Sequence, residues 1–300
     1  MTVLHSDQIL EELRALWASL GHSAEPGESH GVVRACALTL IVLAEETDDA
    51  VAIAETLAEL MREHPNRAIV VRVRRGAPPL LEHRVQAQCW MPLGQREQLC
   101  CEHIEITAAE ASLPDLAPVL LALRAPDLPV AVWYRSARLL DSPAIAADKL
   151  ILDSAAAADP LAMLRRLAEN TAVPPIADLA WTRLTHLREI VAQVFENAAF
   201  HALLARVREA CVFHDGDGIP PEARYFAGWV MDALGREIDV RFESAPERAV
   251  EFRGPDMQPL RIVACPHACE SALLGEELGI LGTDPVYDRA LRLAAGLPSR

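Results

Sequence analysis

Three short apolar runs, CALTLIVLA at 36–44, RAIVVRVR at 67–74 and LPVAVWY at 128–134, constrain the fold of this chain more than any other feature. Each has the length of a buried strand and falls far short of a membrane span. The first is the core of a strand predicted over 32–44. Residues 49–63 then carry a helical pattern, opened by Asp48 and Asp49 and closed before His64-Pro65. Strand, helix, strand is the β-α-β unit, so the chain opens as an α/β protein.

Two further runs behave differently. Over 82–91, His83, Val85, Ala87 and Cys89 alternate with Arg84, Gln86 and Gln88. Over 100–107, Cys101, His103 and Glu105 alternate with Glu102, Ile104 and Ile106. Period-two alternation predicts antiparallel strands with one wet face. Helices are expected near 6–20, 109–124 and 160–169, and a strand at 149–154. The resulting expectation is a mixed-sheet, three-layer α/β N-terminal domain over residues 1–172. TAVPPIAD at 171–178 has no periodicity and two adjacent prolines, so it reads as a linker. Beyond it come helices at 179–196 and 221–234, strands near 237–243, 248–253 and 259–264, and helices near 268–280 and 284–295. That grouping predicts a smaller α+β C-terminal domain over 179–300.

With 300 residues, of which 51% are hydrophobic, the chain can bury two cores. A net charge of −15 disfavours nucleic acid and anionic membrane surfaces as partners, because both demand a basic footprint. With His5, Asp7, Glu11 and Glu12 in the first dozen residues, a signal peptide is not expected there and a cytoplasmic protein is. The seven cysteines lack the spacing of a disulfide framework. Cys100 and Cys101 point to opposite faces of a strand and are not expected to bond to each other, though either could meet a distant cysteine. Cys265, His267 and Cys269 are ligands by type, but no second cluster completes a zinc site, so no metal is expected. Phosphate-binding glycine loops, H-E-x-x-H and G-x-S-x-G are all missing from the sequence. Nothing selects a nucleophile or a cofactor, and the chain is not expected to be an enzyme.

The helix over 178–197, DLAWTRLTHLREIVAQVFEN, poses a sharper question. At 100° per residue, Trp181, Leu184, Leu187, Ile190, Val191, Val194 and Phe195 share one arc, and Arg183 and Arg188 project from that arc or its edge. A guanidinium held against apolar side chains needs an anion, so both arginines are expected to pair with carboxylates, at least one of them in this chain. As an alternative, Arg67, Arg183 and Arg188 could clamp a sugar phosphate in an α/β sensor or enzyme. Trp133-Tyr134 at a strand end reads as core and rim.

HPNRAIVV at 64–71, PDLPVAVWY at 126–134, DLAWTRLTHLRE at 178–189, AGWVMDALG at 227–235 and LLGEELGILGTDPVYDRAL at 273–291 together resemble the OpcA proteins. These are the glucose-6-phosphate dehydrogenase assembly or activator subunits of cyanobacteria, actinobacteria and other bacteria. The resemblance spans nearly the whole chain. It implies two domains and a non-catalytic subunit that promotes the active oligomer of that dehydrogenase in the oxidative pentose phosphate pathway. It also implies that the two domains meet at DLAWTRLT with Trp181 as apolar anchor, and the structural or interaction candidates are Trp181, Arg183, Arg188, Arg67 and Trp133. Family members often carry two tryptophans where this chain has Trp133-Tyr134, and an aromatic where it has Leu187. Thiol control is associated with cyanobacterial members, and the candidate redox thiols of this chain are Cys100, Cys101, Cys265 and Cys269.

Overall fold

The computed structural model describes residues 5–22, 32–77, 81–92, 97–141, 145–170, 174–264 and 268–298. In chain order, the first half runs α1 (Ser6–His22), β1 (Val32–Arg34), β2 (Leu38–Glu45), α2 (Ala50–Leu60), β3 (Asn66–Arg74), β4 (Leu81–Trp90), β5 (Gln98–Ala109), α3 (Leu113–Leu123), β6 (Val130–Tyr134), β7 (Lys149–Leu152) and α4 (Pro160–Glu169). The second half runs β8 (Ile176–Asp178), α5 (Leu179–Thr182), α6 (Thr185–Glu196), α7 (Ala198–His201), β9 (Glu209–His214), α8 (Pro221–Leu234), β10 (Asp239–Ser244), β11 (Ala249–Arg253), β12 (Leu260–Val263), α9 (Glu270–Gly279) and α10 (Pro285–Gly296). Among these described residues no helix is long and apolar enough to cross a membrane.

The chain folds as two compact units. The first comprises Met1–Leu152 and Glu270–Leu281, the second Asp153–Cys269 and Gly282–Arg300. Helix α4 therefore packs with the second unit, and α9 with the first, although α9 lies near the end of the sequence.

The first unit is α/β. Its strands are ordered β1-β5-β3-β2-β6-β7, with β4 on the other edge of β5. β2 pairs in parallel with β3 and β6, β3 in parallel with β5, and β6 in parallel with β7. β4 runs antiparallel to β5, from Leu81 opposite Ala108 to Trp90 opposite Leu99. The α/β fold class and an antiparallel portion are as expected, but β5 has no wet face: Cys100 to Ile104 are all buried, and its other edge is paired in parallel with β1 and β3. β2 is central because it is apolar on both faces: Leu40, Ile41, Val42 and Leu43 are all buried, each stabilising by about 1.5–3 kcal/mol. The β2-α2-β3 connection moves one way along the sheet and β5-α3-β6 moves back. Right-handed crossovers then put α2 and α3 on opposite faces, giving three layers. Asp49 starts α2 by accepting hydrogen bonds from the amides of Val51 (2.8 Å) and Ala52 (3.3 Å).

The single strand expected over 32–44 is two strands. β1 pairs with the start of β5, and the chain then changes neighbours: the Ala35 amide bonds the Cys100 carbonyl and the Ala37 amide bonds the Pro65 carbonyl. Apolar content cannot show a change of partner within a continuous run. α9 is anchored within this unit by Lys149, only 4% exposed, whose Nζ donates to the Glu277 carboxylate (2.6 Å) and to the carbonyls of Glu277 (2.9 Å) and Ile280 (2.6 Å). A cation at a helix C-terminus satisfies carbonyls that have no helical partner.

The second unit is α+β. A four-stranded sheet runs β10-β9-β11-β12, with β9 and β10 parallel and the other neighbours antiparallel. α8 and α10 pack with α4 in this unit. Gly228 permits the α8–α10 approach, because a Cβ there would lie 2.4 Å from the Ala290 carbonyl oxygen.

The helix expected over 179–196 is broken. α5 makes a single turn, the Leu184 amide bonds back three residues to the Trp181 carbonyl (3.0 Å), and α6 begins at Thr185. Thr182 Oγ1 donates to the Asp178 carbonyl (3.2 Å), a local bond that competes with the helical ladder. The break changes the phase between Trp181 and the α6 stripe.

Candidate functional site

A connected polar cluster of the second unit is built around that break. β8 delivers Asp178 to the start of α5, where it is the N-cap and is fully buried. Its Oδ1 accepts from the amides of Ala180 (3.0 Å) and Ser154 (2.9 Å), and its Oδ2 accepts from the Tyr225 hydroxyl (2.7 Å). Burial raises the pKa of Asp178, and these donors oppose the rise without reversing it. Burial likewise carries the Tyr225 phenol well above its usual value, with the Asp178 charge adding to it.

One turn on, Trp181 is 4% exposed and sits 5.8 Å from the Tyr225 ring and 5.9 Å from the Tyr287 ring. Its Nε1 donates to Asp284 Oδ2 (3.1 Å), and Asp284 Oδ1 caps α10 through the amides of Val286 and Tyr287. Trp181 is therefore an anchor holding α5 to α8 and α10. Its burial comes with a satisfied N–H.

Arg183 finds its anions in the chain. Both terminal nitrogens grip the Asp153 carboxylate, one of them at 2.9 Å, and Nη1 also reaches Glu222 Oε1 at 3.0 Å. Burial disfavours the Arg183 charge, but the bonds to Asp153 and the charge of Glu222 outweigh it and raise the pKa. For Glu222 burial prevails, and its pKa is raised despite Arg183. Arg188 lies against the same cluster. Its guanidinium stacks 3.7 Å from the Trp181 ring centroid, and Nη2 donates to Thr185 Oγ1 at 3.3 Å. The expectation of a carboxylate in the same chain holds at Arg183. Arg188 has in addition an aromatic face beneath its guanidinium, a cation–π contact.

Arg67 and Trp133 lie in the first unit. Arg67 is buried, with Nε on Glu102 Oε2 (2.5 Å) and Nη1 on the Leu123 carbonyl (2.6 Å). Glu102, also buried, further accepts Trp17 Nε1 (2.6 Å) and pairs with Arg34 (2.8 Å). Trp133 is core at 1% exposure, with the Arg135 guanidinium 4.9 Å above its ring and Arg135 paired to Glu270. The structure therefore joins Trp181, Arg183 and Arg188 in one cluster and places Arg67 and Trp133 in separate ones. As anion clamps, Arg67 and Arg183 are already occupied by the chain's own carboxylates.

Among the candidate thiols, Cys100 is bonded to Cys89 across the β4–β5 pair, where the two residues are directly opposite. Cys101 is buried, and desolvation raises its pKa to about 11. Cys269 is exposed, while Cys265 and His267 lie outside the described residues. No group of three potential metal ligands occurs among the described residues.

In open α/β sheets ligands bind beyond the carboxyl ends of the strands, where the strand order reverses. Here that point lies between β2 and β6, and a network of the chain's own charges sits at it. Glu45 accepts from Ser136 Oγ (2.7 Å) and pairs with Arg75 (2.9 Å) and Arg138 (3.3 Å), and Arg138 also holds Glu110 (2.9 Å). Burial alone would raise the Glu45 pKa, but Ser136 and the two arginines outweigh it and lower it.

Fold and site together define a two-unit protein, one unit α/β and one α+β, whose principal charged clusters are internally paired. The chain belongs to the OpcA family. Residues 57–169 match the family model described as the glucose-6-phosphate dehydrogenase subunit N-terminal domain, and residues 174–291 match the corresponding C-terminal domain. Two curated relatives have names that contain "OxPP cycle protein OpcA". One, from Synechocystis sp., is 26% identical over 217 residues, 65% of this chain and 44% of the relative. The other, from Nostoc punctiforme, is 26% identical over 185 residues, 59% of this chain and 39% of the relative. This chain thus spans less than half the length of these relatives.

Asp153, Asp178, Glu222, Tyr225, Asp284 and Tyr287 escaped the sequence reading. Asp178 before LAWT carries an N-cap signal, but a carboxylate's distant partners leave no local pattern.

Proposed function

We propose that this protein is a non-catalytic assembly factor and activator of glucose-6-phosphate dehydrogenase, acting in the cytoplasm and promoting the enzyme's active oligomer. The observation that carries this reading is the pair of family matches, which run through both halves of the chain and are both described as parts of a glucose-6-phosphate dehydrogenase subunit. The names of the relatives add the oxidative pentose phosphate cycle. Two structural features agree with a binding subunit. At the strand-reversal point of the first unit Glu45 is paired with Arg75 and Arg138, and the Trp181 cluster ties α5, at the head of α6, to α8 and α10. Domain limits of 1–172 and 179–300, with 171–178 as linker, are part of this reading because the two family matches divide between residues 169 and 174, whereas the compact units divide after Leu152 and exchange α9. So is a thiol role for the Cys89–Cys100 pair or exposed Cys269, with the buried Cys101 thiol as the less reactive candidate.

The test is co-expression with the dehydrogenase of the same organism, followed by sedimentation. The dehydrogenase should shift to a larger species that contains this chain. A dehydrogenase that sediments identically with and without the chain refutes the proposal.

A further inference from the structure

The second unit holds an apolar cavity of about 260 Å³ that none of the clusters above uses. Its walls are Val191 and Phe195 of α6, Trp229 and Val230 of α8, and Phe252 of β11. Phe195 and Phe252 meet edge-on at 5.2 Å and fix its floor. The polar side chains on its lining are Glu196 and His201, both exposed. The His201 Nδ1 position is taken by the Phe195 carbonyl at 3.3 Å. Two lining residues at the lip, Ala192 and Ala233, are exposed and small.

Size and charge decide what fits. Small-molecule sites usually occupy about 300–1,000 Å³ and carry several convergent polar groups. This cavity is smaller and its wall is apolar, which suits one bulky side chain of a protein partner, the way interface anchors seat. Along α6, Glu189 lies one turn before Ala192 and Glu196 one turn after it, so carboxylates flank the opening. Arg236, just beyond α8, donates to the carbonyl of the lining residue Leu204 at 3.0 Å. A second copy of this chain, itself at net charge −15, would bring like charge to that opening.

We infer that the cavity is the anchor pocket for a segment of the dehydrogenase that inserts one large apolar side chain and sets a lysine or arginine against Glu196. This inference rests on the proposed function and adds the surface through which it acts.

The experiment measures binding of the full chain to the same organism's dehydrogenase, with Ala192→Phe and Ala233→Phe to block the lip and Glu196→Lys to reverse its charge. Because both alanines are exposed, melting temperatures should stay at the parent value. Each lip variant should raise Kd at least tenfold, and Glu196→Lys should weaken binding most at low salt. A parent that binds while all three variants bind equally well overturns the pocket alone. A parent that does not bind overturns the proposed function and the pocket with it. Native mass spectrometry showing a co-purifying small apolar molecule displaced by Ala233→Phe would overturn the inference in favour of a ligand site. A dimer of the chain abolished by the same variant would overturn it in favour of self-association.

Discussion

Replacing Arg183 by alanine leaves Asp153 and Glu222 facing each other without the guanidinium they share. The side chains of Arg183, Asp153 and Glu222 are 17%, 20% and 15% exposed, so the cluster is neither fully buried nor a surface pair. Breaking a fully buried pair costs about 3–5 kcal/mol and an exposed one about 0–1 kcal/mol. For this triad we expect a loss of about 2–4 kcal/mol at neutral pH, a fall in Tm on the order of 5–10 °C. The pH dependence is the more specific part. Burial already raises the Glu222 pKa with Arg183 present, and removing the cation raises it further. A carboxyl whose folded pKa is raised favours folding below its unfolded pKa, and that contribution is lost as pH rises through the folded value. The deficit of Arg183→Ala should therefore be largest above that folded pKa and shrink on acidification. Urea unfolding of parent and variant at pH 7.5 and pH 5 measures it. A variant as stable as the parent at pH 7.5, or a deficit that does not change between the two pH values, refutes the reasoning.

Asp178→Asn keeps an acceptor for the Ser154 and Ala180 amides and should cost about 1 kcal/mol or less, whereas Asp178→Ala strands these buried donors and should cost about 3–5 kcal/mol, both read by denaturant unfolding. Since burial raises the Asp178 pKa, the parent's stability should decline as pH rises through that folded value, and Asp178→Asn should flatten the decline. Gly228→Ala drives a methyl to 2.4 Å from the Ala290 carbonyl and should destabilise by about 1–3 kcal/mol, seen as a lower Tm. Under native conditions a thiol reagent should label exposed Cys269 quickly, and Cys101 and Cys211, whose burial raises their pKa values to about 11 and about 12, only after denaturation.

The sequence showed the fold through its apolar periodicities, because those depend on local spacing. β4 and β5 announced an antiparallel pair by alternation, and α8 began and ended at the residues its pattern marked. The split between β1 and β2 was hidden because both halves are apolar and only their partners differ. The break at Arg183-Leu184 was hidden because a wheel assumes constant pitch. In the site, Trp181 and Arg183 stood out as residues that conflict with or dominate an apolar arc. Their partners Asp153, Glu222 and Asp284 did not, being about 30, 39 and 103 positions away and standing as ordinary polar residues at the end of a strand and in the first turns of two helices. Lys149 illustrates the same limit: a lone cation opening a strand gives no hint that its target is a helix end 128 residues on.

The central claim is that this chain raises the activity of glucose-6-phosphate dehydrogenase by binding it. The direct measurement is a titration of purified chain into a fixed amount of the same organism's dehydrogenase at subsaturating glucose 6-phosphate, following the initial rate of NADPH formation. The account predicts a saturable rise in rate, reaching its plateau at a fixed ratio of chain to enzyme and absent when the chain is titrated without enzyme. A flat response across the titration, with the dehydrogenase active and the chain folded, would contradict it.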